Sequence, residues 1–454
     1  MLVYFSAENF RSIKEPIELD MRAAPKLRRL AHHTRKPISK NKLKLLKTAL
    51  IYGANASGKS NILKAMNVAQ NLIIDSQTSV DILKTQKFSL VDKIEKNSSF
   101  YFEFIIGKTH LTYGFEISDE RVIEEELGVY DDKGDNLILV FKRTFNNVSN
   151  EYVIESESDK ILSDDKNAFN EFKILCKYTP KDQLLLNKSS DWDDSSDLKA
   201  IGSCTLAAKT FFQHFLVIIF PTTSYGGLPK DLNDLDNSGN YLSIFNKFDT
   251  GVDSIIHNSI PIERFDLDVI DEIKKKISES GGGALKLTVK HEEYIAWFKG
   301  GDIIISSLQA VHKIKGVEDK IFNLKDESDG TIRLLDLLPT LRNSDELTST
   351  TFVIDEFDRS LHPNLSRSII ENFIDCENEN NNQLIVTTHQ SELLDSKLLR
   401  RDEIWFVQKE WDQSSKLYSL DDYSERFDKD IQKAYLSGKY GAVPVLSESE
   451  SHGN

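Results

Sequence analysis

Short apolar runs alternate with polar stretches along this chain, and their spacing divides it into blocks. Near the start, Leu2-Val3-Tyr4-Phe5, Asn9-Phe10-Arg11-Ser12-Ile13 and Pro16-Ile17-Glu18-Leu19 predict strands. The run over residues 45–52 predicts a buried strand, and Asn61-Ile62-Leu63-Lys64-Ala65-Met66 opens a helix reaching about residue 75. From Ser98 the alternation is that of strands: Phe100-Tyr101-Phe102-Glu103-Phe104, Leu111-Thr112-Tyr113-Gly114-Phe115 and Leu137-Ile138-Leu139-Val140-Phe141, separated by turn residues, predict an antiparallel subdomain. Residues 160–285 mix helical segments with acidic interruptions and close at Gly281-Gly282-Gly283, so they read as a mostly helical insertion without sustained heptads. Strands resume at residues 284–289, 294–298 and 302–305. Farther on, Thr351-Phe352-Val353-Ile354 and Gln383-Leu384-Ile385-Val386-Thr387 are apolar runs separated by helical segments, as buried parallel strands are. The expected division is an N-terminal lobe at 1–159, the insertion at 160–285, a C-terminal lobe at 286–447 and a disordered polar tail at 448–454.

Between the strand at 45–52 and the helix that follows stands Gly53-Ala54-Asn55-Ala56-Ser57-Gly58-Lys59-Ser60, which fits G-x-x-x-x-G-K-[ST]. Strand, glycine loop and helix make a phosphate cradle. Loop N–H groups and the positive helix end face the phosphates, Lys59 reaches the β/γ oxygens, and the Ser60 hydroxyl ligates Mg²⁺. Gly53, Asn55, Ser57, Gly58, Lys59, Ser60 and Asn61 are therefore candidate nucleotide contacts. A second signal is Asp355-Glu356 after an apolar run: Asp355 is the candidate metal ligand and Glu356 the candidate general base. A third is Glu327-Ser328-Asp329-Gly330-Thr331 opening a helix, where Ser328 and Gly330 can form an anion site. The fourth is Thr387-Thr388-His389-Gln390, in which His389 can bond a γ-phosphate. Arg359-Ser360-Leu361-His362-Pro363 follows the acidic pair and reads as a subunit-contact loop.

In this order the motifs resemble an α/β ABC-type ATPase head, a P-loop NTPase carrying an antiparallel β subdomain and a helical insertion. The form Gly-x-Asn-x-x-Gly-Lys-Ser-Asn is similar to the RecF/SMC/OLD branch. Asn9-Phe10-Arg11-Ser12 and Tyr435-Leu436-Ser437-Gly438-Lys439-Tyr440-Gly441-Ala442-Val443-Pro444 further resemble stand-alone ATPase subunits of PARIS-type, Septu-type and abortive-infection phage-defence systems. The resemblance implies ATP and Mg²⁺ as cofactors, hydrolysis to ADP and phosphate, and a homo-oligomer. In it, Ser328 and Gly330 of one copy would close the site built by Lys59 and Ser60 of another. It adds Arg11 to the nucleotide contacts. For the Gln that senses Mg²⁺ in the family, the nearest counterpart is Gln86. The implied partner is a separate effector protein, a nuclease or toxin.

Composition changes this picture little. Of 454 residues, 39% are hydrophobic and 28% charged, and no apolar run is long enough to span a membrane. Cys176, Cys204 and Cys376 stand singly, with no metal or disulfide spacing, so a cytoplasmic setting is expected. A net charge of −15 argues against a chain that coats nucleic acid. Yet residues 22–47 hold Arg22, Lys26, Arg28, Arg29, Arg35, Lys36, Lys40, Lys42, Lys44 and Lys47 without one acid. This block serves either DNA phosphates, as in a RecF-like repair ATPase, or only water. Asn246-Lys247-Phe248-Asp249 is a GTPase-like string, but it precedes Asp355, whereas in GTPases it follows the metal carboxylate.

Overall fold

The structure, a computed structural model, describes residues 1–75, 80–89, 96–131, 133–157, 176–188, 199–222, 250–279, 285–289, 292–299, 301–341, 349–375, 381–423 and 430–444, with Phe172, Ile174 and Phe248 as single positions. The Asn246, Lys247 and Asp249 positions, the three glycines at 281–283 and the tail at 448–454 lie outside the described residues. The chain forms two compact units. One comprises Met1–Ile218, Ser344–Phe357 and Ile374–Asn454, and the other Ile219–Asn343 and Asp358–Phe373.

The first unit holds two sheets. Five strands, Ser98–Ile106, Thr109–Ile117, Val122–Tyr130, Leu137–Asn146 and Glu151–Glu155, form an antiparallel meander. The hairpin of Leu2–Glu8 and Ile17–Asp20 extends it to seven strands through the pairing of Leu2–Glu8 with Ser98–Ile106. The stretch Asn9 to Ile13, expected as a strand, is instead a tight turn. Phe10 and Ile13 exchange backbone hydrogen bonds of 2.8 Å, and Asn9 and Arg11 take φ of 50° and 51°, which no strand residue adopts.

The second sheet has six strands in the order Leu216–Ile219, Thr351–Ile354, Gln383–Thr387, Thr48–Gly53, Ile404–Lys409, Ser415–Ser419. The four from Thr351–Ile354 to Ile404–Lys409 run parallel, and the first three of these are buried along their whole length. Gln383 fastens the two sheets to one another. Its side chain accepts from the Leu2 N–H at 2.6 Å and the Thr351 hydroxyl at 3.0 Å, and donates to the carbonyls of Leu2 and Leu46. A buried amide this fully bonded recovers the cost of its desolvation and fixes the register of what it joins.

The helix Lys59–Ile74 buries Ile62, Ala65, Met66, Ala69, Leu72 and Ile73, an i, i+3, i+4 stripe. On its polar side Gln70 donates to the carbonyls of Phe212 and Leu216, tying it to a π-helical turn at Phe211–Phe215. The rings of that turn pack on the meander, Phe211 stacked 4.3 Å from Phe104. The described part of residues 160–285, expected as mostly helical, thus contains strands as well. Leu216–Ile219 joins the six-stranded sheet, and in the second unit Ser254–Ile260 pairs along Asp302–His312.

That second unit is built on the antiparallel sheet of Ser254–Ile260, Asp302–His312, Glu292–Lys299 and Leu285–Val289, with Lys320–Asn323 also paired to Asp302–His312. The helix Leu267–Glu279 covers it through Ile270, Ile273 and Ile277, which pack with Phe265, Ala296 and Ile305.

Candidate functional site

Because Thr351–Ile354, Gln383–Thr387 and Thr48–Gly53 are parallel and in register (Ile354 beside Val386, Thr387 beside Ile51), their C-terminal ends share one sheet edge. Ligands of parallel α/β sheets bind at this edge. Three of the sequence motifs leave the sheet there: the glycine loop, Asp355-Glu356 and Thr388-His389.

In the loop, Lys59 is buried and its Nζ donates to the carbonyls of Gly53 at 2.8 Å and Ala54 at 3.1 Å, so the ammonium lies folded along the loop. Gly58 precedes the helix with φ 106° and no side-chain cap, and the positive end of the helix dipole lies at this point. A Cβ there would stand 2.0 Å from the Ser415 Oγ and 2.7 Å from the Ser12 Oγ. These two hydroxyls form a brace beneath the loop. The Ser415 Oγ donates to the Ser57 carbonyl at 2.6 Å and lies 2.7 Å from the Ser12 Oγ, whose hydroxyl it can accept, and Asn61 Nδ2 donates to the same Ser12 Oγ at 2.7 Å. Asn55 is exposed at the loop's tip.

Asp355 is 3% exposed and receives two hydroxyls on one oxygen: Ser60 Oγ at 3.1 Å and Thr387 Oγ1 at 2.7 Å, both to Oδ1. Thr387 also accepts from the Glu356 N–H at 2.8 Å, and its carbonyl accepts from the Phe357 N–H at 3.0 Å. Glu356 has φ 44°, a conformation costly for a residue with a Cβ and held here by those two bonds. It is half-buried, and His389, two residues past its strand, is exposed.

Oxygen donors from Ser60 and Asp355 suit a hard divalent cation such as Mg²⁺. The Ser57 Oγ, buried in the loop without a hydrogen-bond partner, marks a place where a phosphate oxygen would satisfy a polar atom. The residues present therefore fit Mg²⁺ with a nucleoside polyphosphate. Among the described residues no cluster of three or more His, Cys, Asp or Glu forms a separate metal site.

Arg11 and Gln86 meet. Arg11 Nε donates to Gln86 Oε1 at 3.1 Å, the Arg11 N–H donates to the Gln86 carbonyl, and the Gln86 amide donates to the Ile82 carbonyl. With Ser12, Asn61 and Lys87 they line a cleft of about 500 Å³. Gln86 thus borders the loop helix at Asn61, with its amide engaged by Arg11 and Ile82.

The signature belongs to the second unit. Ser328 caps the helix Asp329–Leu341: its Oγ accepts from the Thr331 N–H at 3.2 Å and lies 2.9 Å from the Thr331 hydroxyl. A Cβ on Gly330 would stand 2.9 Å from the Ser360 carbonyl, so this glycine lets the helix approach the 359–363 loop.

In the basic block, Lys26, Arg28, Arg29, Lys36, Lys40, Lys42 and Lys44 are exposed. Arg22 instead pairs with Asp20 and Glu103, and buried Lys47 donates to the Ile374 carbonyl. The block is anchored from beneath. Buried His33 lies 2.9 Å from Glu403, and Arg400, paired with Asp402, donates to the Leu27 and Arg29 carbonyls.

Sequence reasoning did not single out Ser12, Ser415 or the bridging role of Thr387. Each acts through a hydroxyl whose partner is distant in the chain, so that even where Ser12 and Thr387 lie in recognised strings their roles are not marked there.

A family profile described as "AAA domain, putative AbiEii toxin, Type IV TA system" matches residues 49–395. No curated protein matches. Among solved structures, an SMC head bound to the C-terminal winged-helix domain of ScpA is 14% identical, with a TM-score of 0.37, over 92% of this chain and 97% of that one. The SMC head domain from Thermotoga maritima is 11% identical, with a TM-score of 0.36, over 92% and 98%. An SMC head with an extended coiled coil from Pyrococcus furiosus, bound to the C-terminal domain of ScpA, is 12% identical, with a TM-score of 0.36, over 97% and 98%.

Proposed function

The chain belongs to this AAA-domain family of P-loop ATPases, and from that premise we propose that it is a magnesium-dependent ATPase acting as sensor and scaffold of an antiviral, phage-defence system. The observation that carries the catalytic part is the convergence of Ser60 and Thr387 on Asp355 Oδ1, at the strand edge that also bears the Lys59 loop. A loop lysine, a helix-start hydroxyl and a strand-end carboxylate in one place are the parts of a metal-assisted triphosphate site.

Bound Mg²⁺ would be held by Ser60 and Asp355 and would supply neutralisation of phosphate charge. Lys59 and the N–H groups at the start of Lys59–Ile74 bind the phosphates, with Gly53, Asn55, Ser57 and Asn61 around them. Arg11 and Gln86 border this site at Asn61. Thr387 holds Asp355 and the Glu356 backbone together, so that Glu356 is positioned as the base for the attacking water, and His389 reaches the γ-phosphate. Ser328 and Gly330 complete the site of a second copy, head to tail. In the ATP-bound assembly the protein holds a separate effector, a nuclease or toxin, in the cytoplasm, and a trigger releases it. The AbiEii name in the family description supports the defence setting.

The test is ATP turnover and assembly mass for wild type beside Glu356→Gln, with and without a protein encoded beside this one. Loss of turnover by at least a hundredfold with retention of an ATP-bound assembly is expected. Turnover that survives the substitution assigns the base elsewhere.

A second reading, a RecF-like DNA-binding ATPase, is favoured by the seven exposed cations of residues 22–47. It predicts duplex binding that weakens steeply with salt.

A further inference from the structure

The residue ahead of the signature serine is itself an acid. Glu327 closes the turn Leu324–Asp326, its N–H donating to the Leu324 carbonyl, and the next residue, Ser328, caps the helix Asp329–Leu341. On the reading above, this turn meets a triphosphate on a second copy, where a carboxylate one residue from Ser328 would repel it. The structure supplies a counter-charge. His312, the last residue of the strand Asp302–His312, places its Nε2 2.8 Å from Glu327 Oε1. Glu327 is nearly buried (10%) and His312 mostly so (25%).

We propose that His312 is a positioning residue for the signature: as a cation it orients Glu327, neutralises it, and so makes the Ser328 turn competent to close on the γ-phosphate of a second copy. The inference rests on the head-to-tail reading of the site.

The surroundings of His312 favour the charged form. The hydrogen bond that it donates to Glu327 raises its pKa above the ordinary histidine value against some desolvation, and the Gly251 backbone and the Asp253 carboxylate add to this. The rings of His312 and Phe322 meet in a T-shaped contact, centroids 5.4 Å apart and planes at 80°. Charged residues placed close by include Lys313, whose N–H is taken by Asp253, and Lys320, paired across the strands from His312. The sign follows. The His312–Glu327 ion pair is complete below the ordinary histidine pKa and is lost as pH rises through the raised one. ATP-driven association should therefore weaken over that interval, in a way that depends on His312.

The experiment compares wild type, His312→Gln, Glu327→Gln and the double variant, each also carrying Glu356→Gln for the association measurement. Three quantities are read from pH 6 to 9: ATP-dependent assembly by sedimentation, turnover as separate kcat and KM, and thermal midpoint. A Ser328→Arg variant reports whether the signature is used at all. The expected result is a three- to tenfold loss of assembly and kcat in His312→Gln at pH 6.5, with KM little changed and the wild-type pH dependence flattened. The double variant should recover most of the loss, because removing the carboxylate removes the need for its cation. A purely structural histidine would leave the double variant as poor as the single. If wild-type assembly and turnover depend on Ser328 while His312→Gln follows wild type at every pH, or the double variant shows no recovery, the assignment to His312 is overturned and the composite-site reading stands. If wild-type assembly and turnover are indifferent to Ser328→Arg, the composite-site reading is overturned and this assignment with it.

Discussion

Asp355 illustrates how much of this site is held by single atoms. One carboxylate oxygen takes the hydroxyls of Ser60 and Thr387, and Thr387 in turn pins the backbone on the far side of Asp355, at Glu356. Gly58 is as tightly specified. Alanine there would need a left-handed conformation and would drive its Cβ into Ser415 and Ser12. We expect Gly58→Ala to lose nucleotide binding by at least tenfold and to destabilise the first unit by about 1–3 kcal/mol, read by calorimetric titration with a nucleotide and by denaturant unfolding. The glycine loop, the acidic pair and the histidine stand out in the sequence because each lies in a contiguous string after an apolar run. The roles of Ser12, Ser415 and Thr387 do not, since a lone hydroxyl carries no signal until the fold supplies its partner.

At the scale of elements, strands were legible where apolar and polar positions alternate and obscure where charge interrupts. Val122–Tyr130 contains Glu124-Glu125-Glu126, which reads as solvated, yet each carboxylate meets a cation on Leu137–Asn146. Lys142 reaches Glu124 and Glu126, and buried Arg143 lies 3.7 Å from Glu125. Cross-strand pairing supplies what the local pattern lacks. A related cluster gives a pH prediction. Burial pushes the Glu103 carboxyl up, but the hydrogen bond from His110 and the ion pair with Arg22 outweigh it and hold the carboxyl below its ordinary value. A depressed carboxylate stabilises the fold above its unfolded pKa and ceases to as pH falls through the folded one. Arg22→Met should thus lower the thermal midpoint near pH 7, with the gap to wild type closing as pH falls below the ordinary carboxylate value of 4.5, followed by calorimetry.

For the molecule as a whole, the charge is divided. A chain of net charge −15 carries seven exposed cations within residues 22–47, fastened underneath by the Arg400–Asp402 pair. If that face takes DNA, neutralising Arg28, Arg29 and Lys36 should cut duplex affinity and reduce the slope of log K against log salt by roughly 0.9 for each phosphate contact removed. An unchanged slope, measured by fluorescence anisotropy at several salt concentrations, leaves the block as solvated surface. This division was visible in the sequence, whereas the pairing of Ser254–Ile260 along Asp302–His312 was not, because its partner strand comes more than forty residues later.

The brace under the phosphate loop also sets an order of events in time. The loop at Gly53–Ser60 is made before Asp355 and Thr387, and Ser415, which holds the Ser57 carbonyl and the Ser12 hydroxyl, is made after both. Until then a nascent chain has the motif without its support. The hydrogen bonds beneath the phosphate loop are therefore completed only once the strand Ser415–Ser419 has been made.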